Sequence, residues 1–230
     1  MGYKLGNRNI DIPGKDVRKI ASGKRGDIYK YRNVVLKVFP KNYDQNDVLD
    51  EDAAKYLTGI STDHILLPRK ILYYHEPQYD INEFRGYSLR SLDKKGAKKR
   101  IINENSIDVV NNIKALENDV ILLSRKGVLL NGITPSNTIY NGDIFLTDPS
   151  RYSVLAEIDY DSLENLNRYQ LHLLLSELIV TDAKKEGFST STVVKIRNLF
   201  NIKDDLNKSS DFFGDILEDN ANLKQFIKKL

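Results

Sequence analysis

The sequence predicts an α+β fold of two lobes, a small β-rich N-terminal lobe and a mainly helical C-terminal lobe. Two observations predict it: strand-like runs are concentrated before residue 92, and helical periodicity dominates from residue 106 onward. The composition, with 40% hydrophobic and 29% charged residues, is that of a globular protein. We therefore expect one lobe over residues 1–92 and a second over residues 93–230, the second carrying a short hairpin at 137–148.

β-branched and aromatic residues mark the strands of the first lobe, because pleated surfaces accept these side chains well. The strand-like runs lie at 17–21, 27–31, 34–39, 71–74 and 83–89. Arg32-Asn33 is a short polar break between the second and third runs, which predicts a hairpin there. The sequence therefore indicates an antiparallel sheet.

One helix is predicted within the first lobe, over residues 47–60. Its apolar residues fall at helical spacing: Val48, Ala53, Ala54 and Leu57. The basic stretch 93–100 follows the last strand-like run, and we expect it to form the loop between the lobes.

Helices account for most of the second lobe. A long one is predicted over 106–126, with Ser106 as its N-cap and Gly127 as its C-terminal stop. Asn141-Gly142 is a strong turn signal between two short strands at 138–140 and 144–147. Three further helices are expected at about 163–183, 189–199 and 210–229.

Charge and composition exclude several classes of function. The 35 Lys and Arg residues against 32 Asp and Glu leave a net charge of +3, too small a surplus for a nucleic-acid-binding surface. The absence of Cys excludes disulfides and zinc–thiolate sites. No apolar stretch approaches the ~20 residues that span a bilayer, and the N-terminus is polar. We therefore expect a cytoplasmic protein that binds neither nucleic acid nor membrane.

A glycine turn and a lysine are the first candidate site residues. Gly23 and Gly26 lie between two predicted strands, with Ser22 and Ile28 beside them, and such a turn can close over phosphates as well as simply reverse the chain. Lys37 lies within an otherwise apolar strand. A lysine there is either paired, directed into a cleft, or placed on an exposed edge.

Asn137 and Asp148 are the second pair of candidates, because they flank the predicted hairpin. An amide oxygen beside a carboxylate suits Mg²⁺, which takes few protein ligands and completes its shell with phosphates and water. Each residue taken alone is also typical of an ordinary turn.

The order of these features resembles the protein-kinase fold family, from about residue 17 to residue 180. Residues 21–28 are similar to G-x-G-x-x-G-x-V with Ala21 at the first glycine, and residues 35–37 are similar to the end of V-A-I-K. Residues 130–137 are in register with H-R-D-L-x-x-x-N, and Asp148-Pro149-Ser150 looks like D-F-G. Residues 167–178 are similar to the central helix of the larger kinase lobe.

This resemblance implies a site for ATP and Mg²⁺. Gly23 and Gly26 would cover the phosphates, Lys37 would hold the α- and β-phosphates, and Asn137 with Asp148 would bind the metal. The family also pairs this lysine with an acid on the following helix. Glu51 is the residue type that the family uses, whereas Asp50 agrees better with the apolar face of the helix, and the sequence leaves both open.

The departures from the family pattern bear on activity. Gly132 occupies the position of the catalytic aspartate, and the neighbouring Asn131 is a weak candidate substitute because an amide is not a base. No A-P-E element follows Asp148, and Asn167 replaces the aspartate at the start of the central helix.

Three functions follow from this pattern. The first is a pseudokinase-like protein that binds ATP and Mg²⁺, has lost or strongly impaired phosphotransfer, and regulates a protein partner. The alternative is an active atypical phosphotransferase acting on a protein Ser/Thr or a small-molecule hydroxyl. The third is a scaffold whose pocket is closed to nucleotide.

Overall fold

The protein has an α+β fold, with an antiparallel sheet in its N-terminal half and helices in its C-terminal half. The computed structural model describes residues 2–44, 48–76, 78–79, 81–92, 100–200 and 209–230. These form two compact units. The first comprises the described residues of Met1–Thr62, Leu66–Asp93 and Asp148–Ser153, and the second those of Asp63–Ile65, Lys94–Thr147 and Val154–Leu230. Of the basic loop expected at 93–100, residues 93–99 lie outside the described residues.

A seven-stranded antiparallel sheet forms the first unit, in the order β2-β1-β6-β7-β5-β4-β3. Its strands are β1 Gly2–Leu5, β2 Arg8–Ile10, β3 Val17–Gly23, β4 Gly26–Tyr31, β5 Val34–Val38, β6 Lys70–Glu76 and β7 Ile81–Arg90. The five predicted strands are confirmed, and Arg32-Asn33 forms the expected two-residue hairpin connection. Strands β1 and β2 were not predicted because each buries only one apolar side chain, Leu5 and Ile10, so neither shows a periodic pattern.

The two faces of β5 have different surroundings. Leu36 and Val38 belong to a buried apolar cluster with Leu5, Ile10, Val17 and Leu72. Because side chains alternate along a strand, Val35 and Lys37 lie on the opposite face. The apolar core of the unit therefore excludes Lys37 and leaves it on the face that carries the candidate site.

The single predicted helix of the first unit is α1, Glu51–Thr58, which is shorter than expected. It begins at Glu51 because the carboxylate of Asp50 caps it, accepting a hydrogen bond from Ala53 N at 2.7 Å. Ala53, Ala54 and Leu57 form its buried face, as the periodicity predicts.

The described residues of the second unit form five α-helices and several short strands. The helices are α2 Ser106–Arg125, α3 Tyr160–Lys185, α4 Thr190–Phe200, α5 Ser209–Leu217 and α6 Leu223–Lys229. The strands are β8 Val128–Leu129, β9 Thr138–Tyr140 and β10 Ile144–Leu146. A further strand, β11 Ser153–Val154, contains the point in the sequence where the first unit ends and the second resumes. No helix within the described ranges is both long and apolar enough to cross a membrane.

The structure corrects two local predictions in this unit and agrees with a third. The N-cap of α2 is Asn105, whose side chain accepts from Ile107 N at 2.8 Å, because the Ser106 hydroxyl instead donates to the carbonyl of Asn220. The hairpin loop spans residues 141–143, as the predicted strand bounds imply, since Tyr140 pairs with Ile144. The last helix is broken into α5 and α6, because Asn222 caps a new helix by accepting from Gln225 N at 2.9 Å.

His172 is a packing residue within α3, as its apolar surroundings in the sequence suggest. Its ring is fully buried, and Nε2 lies 3.0 Å from the carbonyl of Phe200, so this nitrogen carries the proton and donates. Phe200, Phe212 and Phe213 surround it. Burial lowers the pKa of His172 from its ordinary value of 6.5.

We expect the protein to lose stability in mild acid because of His172. The unfolded chain binds the proton more readily than the buried ring, so this stability is fully present above pH 6.5 and is lost as the pH falls below it. The free energy of unfolding, measured between pH 8 and pH 5, should fall more steeply in the wild type than in His172→Gln, whose amide can still donate to the Phe200 carbonyl. Equal pH profiles for the two proteins would contradict this assignment.

Candidate functional site

Lys37 and Asp148, two of the predicted site residues, form an ion pair within the first unit. Lys37 Nζ lies 3.2 Å from Asp148 Oδ2, although 111 positions separate the residues in sequence. The lysine side chain is 6% exposed and the aspartate side chain 22%, so solvent reaches the pair through Asp148. The other carboxylate oxygen, Oδ1, accepts from the backbone N–H of Ser150 at 3.1 Å, which fixes the direction of the carboxylate.

Lys37 lies in a row of side chains that crosses the sheet. The strand register places Ala21, Ile28, Lys37, Tyr87 and Ile71 opposite one another on successive strands. Directly opposed residues of antiparallel strands share one face and lie close together. One buried cation thus lies on a surface otherwise formed by apolar and aromatic side chains, which is suited to a ligand with both an anionic and an apolar part.

The glycine turn of the sequence is the β3–β4 hairpin, in which Gly23 pairs with Gly26. Gly26 has a φ of 121°, and a Cβ there would lie 2.2 Å from the carbonyl oxygen of Val38. Strand packing therefore requires glycine at 26 whether or not a ligand is present. Gly23 differs, since a Cβ there would make only an ordinary contact of 3.7 Å with the Gly26 carbonyl. Packing within the fold does not account for glycine at 23.

Ser22 takes part in a surface network and not in the row around Lys37. Its hydroxyl bonds to Asp27, which also accepts from Lys19 Nζ at 2.8 Å. The hydrogen bond from Lys19 is the main cause that holds the pKa of Asp27 below its ordinary value. The hydroxyl of Ser22 is thus committed to a neighbouring carboxylate.

The structure corrects the expected partner of Lys37. Glu51 accepts hydrogen bonds from Lys55 Nζ and the Tyr73 hydroxyl, each at 2.6 Å, and Asp50 is occupied as the cap of α1. Asp50 precedes α1 as its N-cap, and Glu51, the first residue of α1, can reach a lysine four residues later. Asp148 takes the place that the sequence assigned to them.

Two buried tyrosines, Tyr87 and Tyr152, flank Asp148, and neither was predicted from the sequence as a site residue. Tyr87 is 0% exposed, and its hydroxyl has no hydrogen-bond partner among the described residues. Burial raises the pKa of Tyr87, and the negative charge of Asp148 raises it further. The same two causes, burial first, raise the pKa of Tyr152. For Tyr87 the available signal was a tyrosine within β7, which is equally typical of a core position.

The remaining predicted residues belong to the second unit. Gly132 has a φ of 69°, and its carbonyl accepts from the side-chain amide of Asn137 at 3.3 Å. This bond turns the amide nitrogen of Asn137 toward the loop and leaves its oxygen as the group that could bind a cation. Asn131 N donates to the carbonyl of Leu129 at 3.1 Å, in the same loop. At Gly132, which the sequence resemblance aligns with the kinase aspartate, the chain therefore has a left-handed turn and no side chain.

Asn167 anchors the segment that leads into this loop. Its side chain is fully buried in α3 and makes three hydrogen bonds. Oδ1 accepts from Leu130 N at 2.9 Å, while Nδ2 donates to the Val128 carbonyl at 2.8 Å and to the Ser124 hydroxyl at 2.9 Å. An N–H only donates and a carbonyl only accepts, so the orientation of the amide is fixed. Asn167 holds the loop in place through the backbone.

Within the described residues no group of three or more His, Cys, Asp or Glu side chains is arranged to hold a metal ion. Comparison of the sequence with known protein families finds no match, and comparison with curated proteins finds none either. The geometry around Lys37 and Asp148 is therefore the basis on which a function can be inferred.

Proposed function

We propose that the protein binds ATP at the surface around Lys37 and Asp148 and has lost or strongly impaired phosphotransfer. The buried ion pair between these two residues carries the proposal. A lysine with so little exposure requires compensation for its lost hydration, and the partner it has is the residue that the sequence aligns with D-F-G. The kinase family uses this lysine for phosphates and this aspartate for Mg²⁺.

The position of Lys37 in the sheet supports the kinase-like interpretation. In protein kinases the phosphate-binding lysine lies on the third strand, after the glycine-rich hairpin and before a helix. Here the hairpin of β3 and β4 contains Gly23, the next strand β5 contains Lys37, and α1 follows. Gly23, which packing does not require, would then lie over the phosphates.

Mg²⁺ suits the residues present, because it binds through one or two carboxylates and takes its other ligands from phosphate and water. Asp148 would be the carboxylate ligand, and the metal would neutralise phosphate charge. Asn137 belongs to the second unit, and its role as a second ligand stays a prediction from the sequence.

Gly132 is the reason for proposing impaired phosphotransfer. A general base commonly contributes about 10²–10⁴-fold to a rate, and glycine has no side chain to act as one. The proposed role is then regulatory, with a nucleotide-dependent state of the protein recognised by a protein partner. Phosphoryl transfer depends chiefly on positioning and charge, and Lys37 and Asp148 would supply both. The alternative is therefore a slow phosphotransferase acting on a protein Ser/Thr or a small-molecule hydroxyl.

Thermal unfolding with ATP, with and without Mg²⁺, tests the proposal. A ligand at 100 times its dissociation constant adds about 2.7 kcal/mol to the free energy of unfolding, which gives a clear shift in Tm. Lys37→Met should weaken ATP binding by about 10- to 100-fold, since it removes a charge-assisted hydrogen bond. Asp148→Asn, which preserves shape, should abolish the additional shift caused by Mg²⁺.

The matched control is Lys19→Met, because Lys19 and Asp27 form a Lys–Asp pair in the same sheet with side chains 47% and 34% exposed. This variant should bind ATP like the wild type. Equal loss in the two lysine variants would show that charge alone, and not the buried pair, attracts the nucleotide. If no nucleotide shifts the wild type, the protein is a scaffold. Turnover that Asp148→Asn abolishes would establish the phosphotransferase.

A further inference from the structure

Tyr87 is a third polar side chain beside the Lys37–Asp148 pair. It lies opposite Lys37 in the pairing of β5 with β7, so the two side chains share one face of the sheet. Its ring is packed edge-on against Phe39 at a centroid distance of 5.7 Å, which holds the side chain in one position. Its hydroxyl is buried and forms no hydrogen bond with any of the described residues.

A phenylalanine would fill this position without the cost of an unpaired hydroxyl. A buried polar group without a partner is destabilising, and native proteins contain few of them. Those that occur often mark a place where a water molecule, an ion or a ligand completes the hydrogen bonding. The hydroxyl of Tyr87 thus indicates a partner that the chain itself does not supply.

The surroundings of Tyr87 define the chemistry of that partner. A phenol is protonated at neutral pH, so the hydroxyl of Tyr87 can donate a hydrogen bond. Lys37, opposite it, is also a donor. Two donors on one face of the sheet call for an acceptor with several oxygens, which a phosphate group provides.

We propose that the hydroxyl of Tyr87 donates a hydrogen bond to a phosphate oxygen of the ligand bound at Lys37. This inference rests on the proposed nucleotide site and adds to it a binding residue that the kinase-like motifs do not contain. Tyr87 would contribute recognition of the phosphate at the expense of the stability of the unliganded protein.

Tyr87→Phe tests this inference through two effects of opposite sign. Without ligand, the variant should be at least as stable as the wild type, with Tm higher by about 2–4 °C if the hydroxyl is unpaired. With ligand, calorimetric titration should show ATP and inorganic pyrophosphate binding about three- to tenfold more weakly, with the binding of adenosine unchanged.

Tyr152→Phe is the matched control. Tyr152 is also buried and close to Asp148, but its hydroxyl is not among the buried polar groups that lack a hydrogen-bond partner. It should leave phosphate affinity unchanged. If Tyr87→Phe lowers Tm and leaves the affinity for pyrophosphate intact, a structural water satisfies the hydroxyl and the inference is wrong, whereas the proposed function stands. If the wild type binds none of the three probes, the inference and the proposed function are both wrong.

Discussion

Replacing Gly86 by alanine is expected to cost about 4 kcal/mol or more of the free energy of unfolding, and to abolish the proposed binding of ATP at Lys37. Gly86 has a φ of 135°, which side chains rarely allow, and an added Cβ would lie 2.0 Å from the carbonyl oxygen of Lys37. Because the obstructing atom is backbone, no side chain can move to relieve the contact. Strand β5 must shift, and Lys37 with it.

Gly214→Ala is the control for this experiment. Gly214 lies within α5, and nothing approaches an added Cβ within 4 Å. Alanine there should stabilise the protein by up to about 1 kcal/mol, because glycine is a poor helix former. Urea unfolding of both variants checks the pair. A loss below about 1 kcal/mol in Gly86→Ala would show that β5 and β7 separate easily, and that the position of Lys37 is not set by their packing.

Asn167→Leu should have the second largest effect, a loss of about 3–5 kcal/mol. Leucine is similar in size, but it leaves the N–H of Leu130 and the carbonyl of Val128 buried without their partner. Each unpaired group costs about 1–3 kcal/mol. Urea unfolding of the variant measures the loss, and a value under about 1 kcal/mol would show that water replaces the amide.

Asn167→Asp separates hydrogen bonding from size, because aspartate is similar in size to asparagine but its carboxylate cannot donate a hydrogen bond. A carboxylate there would face the Val128 carbonyl, to which the Asn167 amide now donates. The folded state should therefore raise the pKa of the new carboxyl, since only its protonated form can donate. Its stability relative to the wild type should be highest below about pH 4 and should decrease as the pH rises. A pH-independent difference would contradict this geometry.

The positions of most strands and helices could be predicted from local patterns of residue type and spacing, because these patterns reflect which side chains the fold buries. β-Branched and aromatic residues mark β4 and β5, and the spacing of Ala53, Ala54 and Leu57 comes from the need to bury one face of α1. Where burial was slight, as in β1 and β2, the sequence carried no comparable signal. The predicted N-cap of α2 was wrong for another reason. Asn105 and Ser106 are both good N-caps, and only the contact of Ser106 with Asn220 decides between them.

The sequence by itself identified Lys37 and Asp148 as candidate site residues, because a charge in an apolar strand and an acid after a hairpin are local features. Only the tertiary structure decided that the two meet, since residues 111 positions apart are brought together by folding and not by periodicity. It also decided that Asp50 caps α1, that Lys55 and Tyr73 bind Glu51, and that the hydroxyl of Tyr87 has no partner among the described residues. Hydrogen bonds between distant residues depend on distance and direction in space, which a linear pattern does not contain.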